Sequence, residues 1–357
     1  MQETFNIGAL GWDEDHANDF KALELQDCVP GRVIWQSAYD YIIASVYGEV
    51  PSSLSGKVRA SERPTVGDWI AFRMGEDGIG TIVHVLPRRS AFSRKAAGKA
   101  TQEQVVAANI DTVFVVAGLD GEYNQRRLER YVTLVYNSGA VPVIILNKAD
   151  LCEDIKGIAD QAQKVSPGLT VHVVCAETGE GVDELRQHIG VGRTAAFLGS
   201  SGVGKSTLVN ILLGEERMVT AEVREHDSKG RHTTTHRELI LLDEGGAVID
   251  TPGMREIQVW GDEEGLASAF PEIDELSRSC RFGDCRHDTE PGCAVLDSLE
   301  DGSLDKDRYE NYAKLRLEFE NLESRKAVSA RREERRQGKK FAKMVREIND
   351  HNPKRRK

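Results

Sequence analysis

The segment Gly199-Ser200-Ser201-Gly202-Val203-Gly204-Lys205-Ser206-Thr207 constrains this chain more than any other, because it fits G-x-x-x-x-G-K-[ST] and directly follows a strand-like run, Thr194 to Leu198. In a loop of this kind the glycines let backbone N–H groups turn inward around a β-phosphate. Lys205 then sets a point charge on the β/γ oxygens, and the Ser206 hydroxyl is placed to hold Mg²⁺. Leu208, Val209, Leu212 and Leu213 continue the segment as a helix whose positive N-terminus faces the anion. The bland alternative, a glycine-rich turn, does not account for a strand before and a helix after.

A phosphate loop leaves the base open. Upstream, the apolar run Val141 to Leu146 ends in Asn147-Lys148-Ala149-Asp150, which fits the N-K-x-D box with which GTPases hold guanine. A carboxylate accepts from guanine N1–H and N2–H₂ together, and adenine offers neither donor on that edge. Asn147 is expected to tie the box to the phosphate loop, and the Lys148 stem to cover the base. Alone, Asn-Lys-Ala-Asp is an ordinary polar turn; beside a phosphate loop the guanine reading wins. A third box, Asp250-Thr251-Pro252-Gly253, follows the short strand Ala247 to Ile249 and fits D-x-x-G. Its Asp250 would hold Mg²⁺ through water, and the Gly253 N–H would sense a γ-phosphate. Between these boxes, Thr233, Thr234 and Thr235 include the expected switch I ligand of Mg²⁺, with Thr234 and Thr235 preferred. His232 and His236 flank them as candidates to orient the attacking water, because Met254, one residue past D-x-x-G, has only a thioether there. As a bland alternative, both are solvent-exposed histidines. Cys175-Ala176 stands where the weaker S-A-[KL] guanine box belongs. With Cys175 in place of serine, only the Ala176 N–H, aimed at guanine O6, carries over.

The order of the boxes is unusual. A common GTPase runs phosphate loop, switch threonine, D-x-x-G, N-K-x-D, whereas here N-K-x-D comes first and D-x-x-G last, a circular permutation. On these motifs the chain resembles the RsgA (YjeQ-type) family of circularly permuted GTPases of small ribosomal subunit assembly, along nearly its whole length. Further on, Cys280-x₄-Cys285-x-His287-x₅-Cys293 supplies three thiolates and one imidazole, the ligand set of a closed structural zinc site, and strengthens that match. With all four positions filled by protein, such an ion is not catalytic. The resemblance implies a partner, the maturing 30S subunit with its 16S rRNA, and stimulation of GTP hydrolysis by that subunit.

The expected fold is multidomain: an OB-fold β-barrel, a circularly permuted P-loop GTPase with a mostly parallel α/β sheet, and a small α-helical zinc domain. The boundaries read as an N-terminal extension (1–30), an OB-fold RNA-binding domain (31–90), a polar, basic linker (91–108), the GTPase domain (109–256), the zinc domain (257–324) and a basic tail (325–357). Strands are expected at Arg32 to Gln36, Tyr39 to Tyr47, Lys57 to Ala60, Asp68 to Met74 and Gly78 to Val85. Trp35, Tyr39, Tyr41, Tyr47 and Trp69, ringed by Arg32, Lys57, Arg59 and Arg63, are candidates for an RNA-binding face, with core packing as the bland alternative. In the GTPase region, Ile110 to Ala117 reads as a buried strand and Gln125 to Asn137 as a helix; Tyr309 to Glu323 reads as a helix leading to the tail.

The formal net charge of −11 argues against nucleic acid until its distribution is read. From Arg325 to Lys357 there are 14 Lys and Arg against 4 Asp and Glu, a net of +10, which leaves −21 for the rest. A basic arm on an acidic body suits contact with a polyanion; a solvated charged helix is the alternative. No apolar run approaches the roughly 20 residues of a membrane helix, Met1 to Asp15 lacks the pattern of a signal peptide, and six cysteines among 357 residues do not suggest a disulfide scaffold. A cytoplasmic monomer is expected. The implied function is GTP hydrolysis to GDP and phosphate, with GTP/GDP, Mg²⁺ and one Zn²⁺ as ligands. Its rivals are a passive RNA-binding protein that keeps GTP as a structural ligand and an ATP-using P-loop enzyme, which N-K-x-D opposes.

Overall fold

The computed structural model describes residues 6–350 apart from 39, 57, 59–62, 96–102, 122, 167, 218–236, 244 and 251–262. Five strands close on themselves: β1 (Val29–Gln36), β2 (Tyr41–Ser45), β3 (Gly48–Leu54), β4 (Trp69–Met74) and β5 (Gly80–Val85). Neighbours run β1-β2-β3-β5-β4 and back to β1, with β3 and β5 parallel and the other pairs antiparallel, the partly Greek-key closure of an OB barrel. Val33, Ile43, Val50, Ile70, Phe72 and Ile82 fill its interior. Gly31 is required by that closure, since a Cβ there would stand 2.3 Å from Ile43 Cγ2.

Of Lys57 to Ala60, where a strand is expected, only Val58 is described and the rest lies outside the described residues; the third strand is Gly48–Leu54. Pro51 and two serines disguise that strand as a turn. Pro51 is tolerated because the parallel pairing with β5 begins one residue later, at Ser52. Within the run Tyr39 to Tyr47, Tyr41–Ser45 is a strand and Val46-Tyr47 a hairpin turn, while Tyr39 lies outside the described residues. Residues 91–108 are not a plain linker. They contain β6 (Ala91–Lys95) and β7 (Glu103–Ala108), an antiparallel pair whose base buries Phe92, Val106 and Ala107.

Beyond it lie β8 (Thr112–Gly118), α2 (Gln125–Asn137), β9 (Val141–Asn147), α3 (Ile155–Gln163), β10 (Val171–Val173), β11 (Thr194–Gly199), α4 (Lys205–Leu213), β12 (Arg237–Leu241) and β13 (Ala247–Asp250). Their sheet order is β10-β9-β8-β11-β13-β12, parallel except for β12. The central strands are buried on both faces, as their continuous apolar runs require. At its edge β12 pairs with β1 of the barrel, Trp35 opposite Glu238 and Gln36 opposite Arg237, so barrel and doubly wound sheet form one eleven-stranded sheet.

The C-terminal part has α5 (Glu263–Ala269), α6 (Pro271–Ser277), α7 (Ala294–Glu300) and α8 (Lys306–Asp350). Phe270, Ile273, Leu315 and Phe319 join Leu128, Val132 and Val135 of α2 in a single apolar cluster. Beside it, buried Glu129 of α2 accepts from Arg308 (3.0 Å), Gln125 (3.1 Å) and Asn311, while Arg308 also reaches Glu272 at 2.6 Å. The helix expected at Tyr309 to Glu323 continues unbroken into the basic segment. At 1.5 Å per residue the whole of α8 spans about 68 Å.

Residues Ile7–Leu10 and α1 (Glu14–Ala22) pack on the barrel through Leu10, Trp12 and Phe20 around Trp69. This sets Trp69 and Tyr41 with the core-packing alternative and removes Arg32 from the candidate RNA contacts. Trp69 and Tyr41 are core residues, and Arg32 is buried, its guanidinium donating to three backbone carbonyls: Gly67 (3.2 Å), Asn109 (2.9 Å) and Leu10. Trp35 is half-buried, Tyr47 and Arg63 are exposed, and Tyr39, Lys57 and Arg59 lie outside the described residues. Burial pulls Arg32 down to about 10, against the pull of Asp111 and Asp68. One side chain therefore joins the N-terminal segment, the barrel and the start of β8. Arg32→Met should cost about 3 kcal/mol in urea unfolding, because three buried acceptors lose their donor. It should also release the amides of α1 to exchange. An unchanged midpoint would mean that water replaces the guanidinium.

Candidate nucleotide site and metal centre

The carboxyl ends of β8, β9 and β11 converge, the position where open α/β sheets bind ligands. Gly199 leaves β11 with its α-carbon against Val116 of β8, where a Cβ would meet the carbonyl oxygen at 2.3 Å. Gly202 and Gly204 take positive φ of 79° and 94°, which turns the loop before α4. Gly204 is the N-cap of α4 with no side-chain cap bond, so the first amides of Lys205, Ser206 and Thr207 are left for a ligand. The Lys205 ammonium folds back across the loop and donates to the Gly199 carbonyl at 2.9 Å. Ser206 and Thr207 follow on the first turn of α4; in the loop itself Ser200 is half-buried, Ser201 is exposed and Val203 is buried in the apolar cluster below.

Asn147 is buried at the end of β9 and bridges two loops. Its Nδ2 donates to the Val203 carbonyl at 2.8 Å, and its Oδ1 accepts from the Ala176 amide at 2.9 Å. A Cβ at residue 204 would lie 2.2 Å from that Nδ2, so the last glycine of the loop is fixed by the asparagine as well as by its φ. Lys148 follows with φ +66°, pairing with Asp120 in the loop after β8. Ala149 is half-buried, and the exposed Asp150 carboxylate accepts from the Cys175 thiol at 3.1 Å.

Two expectations change here. Cys175 does orient Asp150, because its thiol donates where a serine hydroxyl would. The Ala176 amide is already engaged by Asn147, so its aim at guanine O6 is not what the geometry presents. Asp120 and Arg127 were not anticipated. Arg127, on the first turn of α2, donates to Ser200 Oγ at 3.0 Å. The polar turn Gly118-Leu119-Asp120-Gly121 at a strand's carboxyl end was the available signal for Asp120. Asp250 ends β13 opposite Glu238. Its side chain, together with His232, Thr234, Thr235, His236, Gly253 and Met254, lies outside the described residues.

The metal ligands do assemble. Cys280, Cys285, His287 and Cys293 each offer an atom within 4.8 Å of the others. A Zn–S bond of about 2.3 Å gives a tetrahedral S···S edge of about 3.8 Å. Cys280 and Cys293 Sγ stand 3.8 Å apart, and His287 Nδ1 is 3.6 Å from the first and 3.3 Å from the second. Burial, with the Cys285 and Cys280 sulfurs adding to it, pushes the Cys293 thiol up to about 11. Burial, then Arg316, pushes the His287 imidazole down, so it stays neutral. A neutral imidazole and a buried Cys293 thiol that gives up its proton more readily with a cation beside it suit a bound metal. His287 takes φ +61°, and its carbonyl accepts from the Tyr309 hydroxyl of α8, which fixes the loop to the long helix.

Known proteins are similar to most of this chain. A family model described as RsgA GTPase matches residues 85–260. The small ribosomal subunit biogenesis GTPase RsgA of Opitutus terrae is 43% identical over 327 residues, covering 87% of this chain and 89% of that protein. RsgA 2 of Vibrio parahaemolyticus is 42% identical over 339 residues, covering 95% and 91%. Among solved structures, YjeQ from Thermotoga maritima is similar at a TM-score of 0.62 and 26% identity, covering 82% of this chain and 98% of that one. YloQ, described as a circularly permuted GTPase, shares the fold at a TM-score of 0.61, covering 83% and 96%. Similarity of this degree along most of the sequence, together with the permuted sheet, makes the chain a member of the RsgA GTPase family.

Proposed function

We propose that the protein hydrolyses GTP to GDP and phosphate in the biogenesis of the small ribosomal subunit, in the cytoplasm. The observation that carries the nucleotide part is the Asn147 amide, which binds the N-K-x-D segment to the phosphate loop and to Ala176 at once. Such a bridge serves a ligand that needs base and phosphate held in one frame. Its likeness to relatives named for small-subunit biogenesis supports the rest.

In this reading Asp150 takes guanine N1–H and N2–H₂, with Cys175 holding its carboxylate, and the Lys148 stem covers the base. The amides of residues 199–207 cradle the phosphates. Lys205 leaves the loop carbonyls for the β/γ oxygens, while Ser206, and Asp250 through water, would hold Mg²⁺, whose charge would offset that of the phosphoryl oxygens. Thr234 or Thr235 completes the metal shell and Gly253 reads the γ-phosphate. His232 or His236 orients the attacking water when the 30S subunit, with its 16S rRNA, is bound. Zinc is structural, held by Cys280, Cys285, His287 and Cys293. The chain acts as a monomer.

Three outcomes test this. GTP and GDP should bind far more tightly than ATP, by up to about 10⁴-fold, and Asp150→Asn should lose guanine. Equal displacement by ATP and GTP would remove the guanine assignment. GTP turnover should be slow alone and rise with 30S particles, less so at high salt, and Lys205→Ala should barely turn over in either case. Full turnover by that variant would move the active site elsewhere, and a rate indifferent to 30S would leave a GTP-binding protein without a subunit role. Removing zinc with a chelator, or Cys285→Ser, should unfold the segment around 280–293 before it changes nucleotide affinity. Because Cys293 must lose a proton to bind metal, zinc retention should fall as pH falls. Protein purified without chelators and found free of zinc would contradict the assignment.

A further inference from the structure

The barrel has two unlike ends. At one, β1 leaves through Gln36 beside β12 of the GTPase sheet. Strand pairing puts three turns together at the other: the segment before β1, the β2–β3 turn and the β4–β5 turn, with Gly31 opposite Ser45, Ser45 opposite Gly48, and Met74 opposite Gly80. Five large apolar side chains stand in water there: Leu25, Val46, Tyr47, Met74 and Ile79, each between 37% and 46% exposed. Single exposed apolar residues are ordinary, but five from three separate turns at one barrel end form a patch. Turns do not need them, because Asn, Asp, Gly and Ser shape turns better than Val-Tyr does.

Charge decides what the patch fits. Residues 24–27, 46–49 and 73–79 carry the exposed carboxylates of Glu24, Asp27, Glu49, Glu76 and Asp77, against one cation, Arg73. A nucleic acid backbone is repelled by such a rim. A tyrosine and aliphatic side chains ringed by carboxylates match the interior and rim of a protein interface whose other side is basic. We infer that this end of the barrel is a docking surface for a Lys/Arg-rich protein segment with apolar anchor side chains. It rests on the small-subunit reading only for where such a segment would be met.

The test uses the full chain and two probes, a synthetic peptide of alternating Lys and Leu and a single-stranded RNA 20-mer. Its two variants are Val46→Ser with Tyr47→Ser, and Glu49→Lys with Glu76→Lys and Asp77→Lys. All five positions are exposed, and basal GTP turnover checks that each variant is folded. Either variant should weaken peptide binding about tenfold, and the charge reversal should leave RNA binding equal or tighter. Unchanged peptide affinity, or RNA affinity lost with Tyr47, would overturn the inference, as would a dimer of the free chain that Tyr47→Ser dissolves. Co-sedimentation with 30S particles is the separate arm. Failure of the parent chain to bind removes the subunit reading and leaves the peptide result standing. Tighter particle binding by the charge-reversed variant would mean that this end faces RNA, and would overturn the inference.

Discussion

The amide of Asn147 is the joint on which the nucleotide end of the sheet depends. A buried amide that leaves a donor or acceptor unpaired costs about 1–3 kcal/mol, so its two hydrogen bonds hold three loops in one arrangement. Gly204 must then be glycine, because the asparagine fills the space a Cβ would take. Lys148 must turn into the left-handed region to clear the strand, which carries its ammonium toward Asp120 and leaves Asp150 facing outward beside the Cys175 thiol. Base and phosphate chemistry are thus set by local backbone geometry before any ligand enters.

Two further buried cations attach the rest of the molecule. Among the described residues Arg32 forms no ion pair with a carboxylate; carbonyl dipoles from three segments hold its charge, so its fit depends on where those segments stand. Arg308 does the same work at the opposite side with carboxylates, lying 4.2 Å over the Phe270 ring while it bonds Glu129 and Glu272. Each leaves unpaired polar groups if its domain shifts. That makes the barrel and the C-terminal helices poor candidates for free rotation about the GTPase core.

What could be read from the residues follows from range. Thr194–Gly199, the loop and α4 show themselves because strand, glycine spacing and helix are contiguous, and Gln125–Asn137 because one face is apolar at helical spacing. The zinc ligands are legible for the same reason: four residues within fourteen positions. Arg32 reads as a surface cation and Trp69 as either a stacking platform or a core residue, since nothing local decides that both are buried. The strand at Gly48–Leu54 is hidden by Pro51, whose missing N–H matters only once its neighbours are known. The hairpin at 91–108 is hidden by Ser93, Arg94 and Lys95, although Phe92 and Val106 are buried at its base. Side-chain partners such as Arg127 with Ser200 come from distant parts of the sequence and have no local signature.

The permutation changes what the phosphate loop is connected to, while the sheet order stays as any such fold requires. Strand β11 lies between β8 and β13. β8 is reached directly from the barrel and its hairpin, and begins beside the Asn109 carbonyl that Arg32 holds. β12, which pairs β13 on its far side, is itself paired to the barrel. On the other face α2 carries Arg127 against the phosphate loop and, two residues on, Glu129 against the C-terminal helix. A load on the barrel therefore enters through strands adjoining or one removed from β11, and a load on α8 enters through the helix that touches Ser200. An unpermuted chain would reach the same strands only through its own sheet connections. Cutting the chain elsewhere puts both outer parts one element away from the transferring phosphate, with rigid, buried polar contacts at each joint.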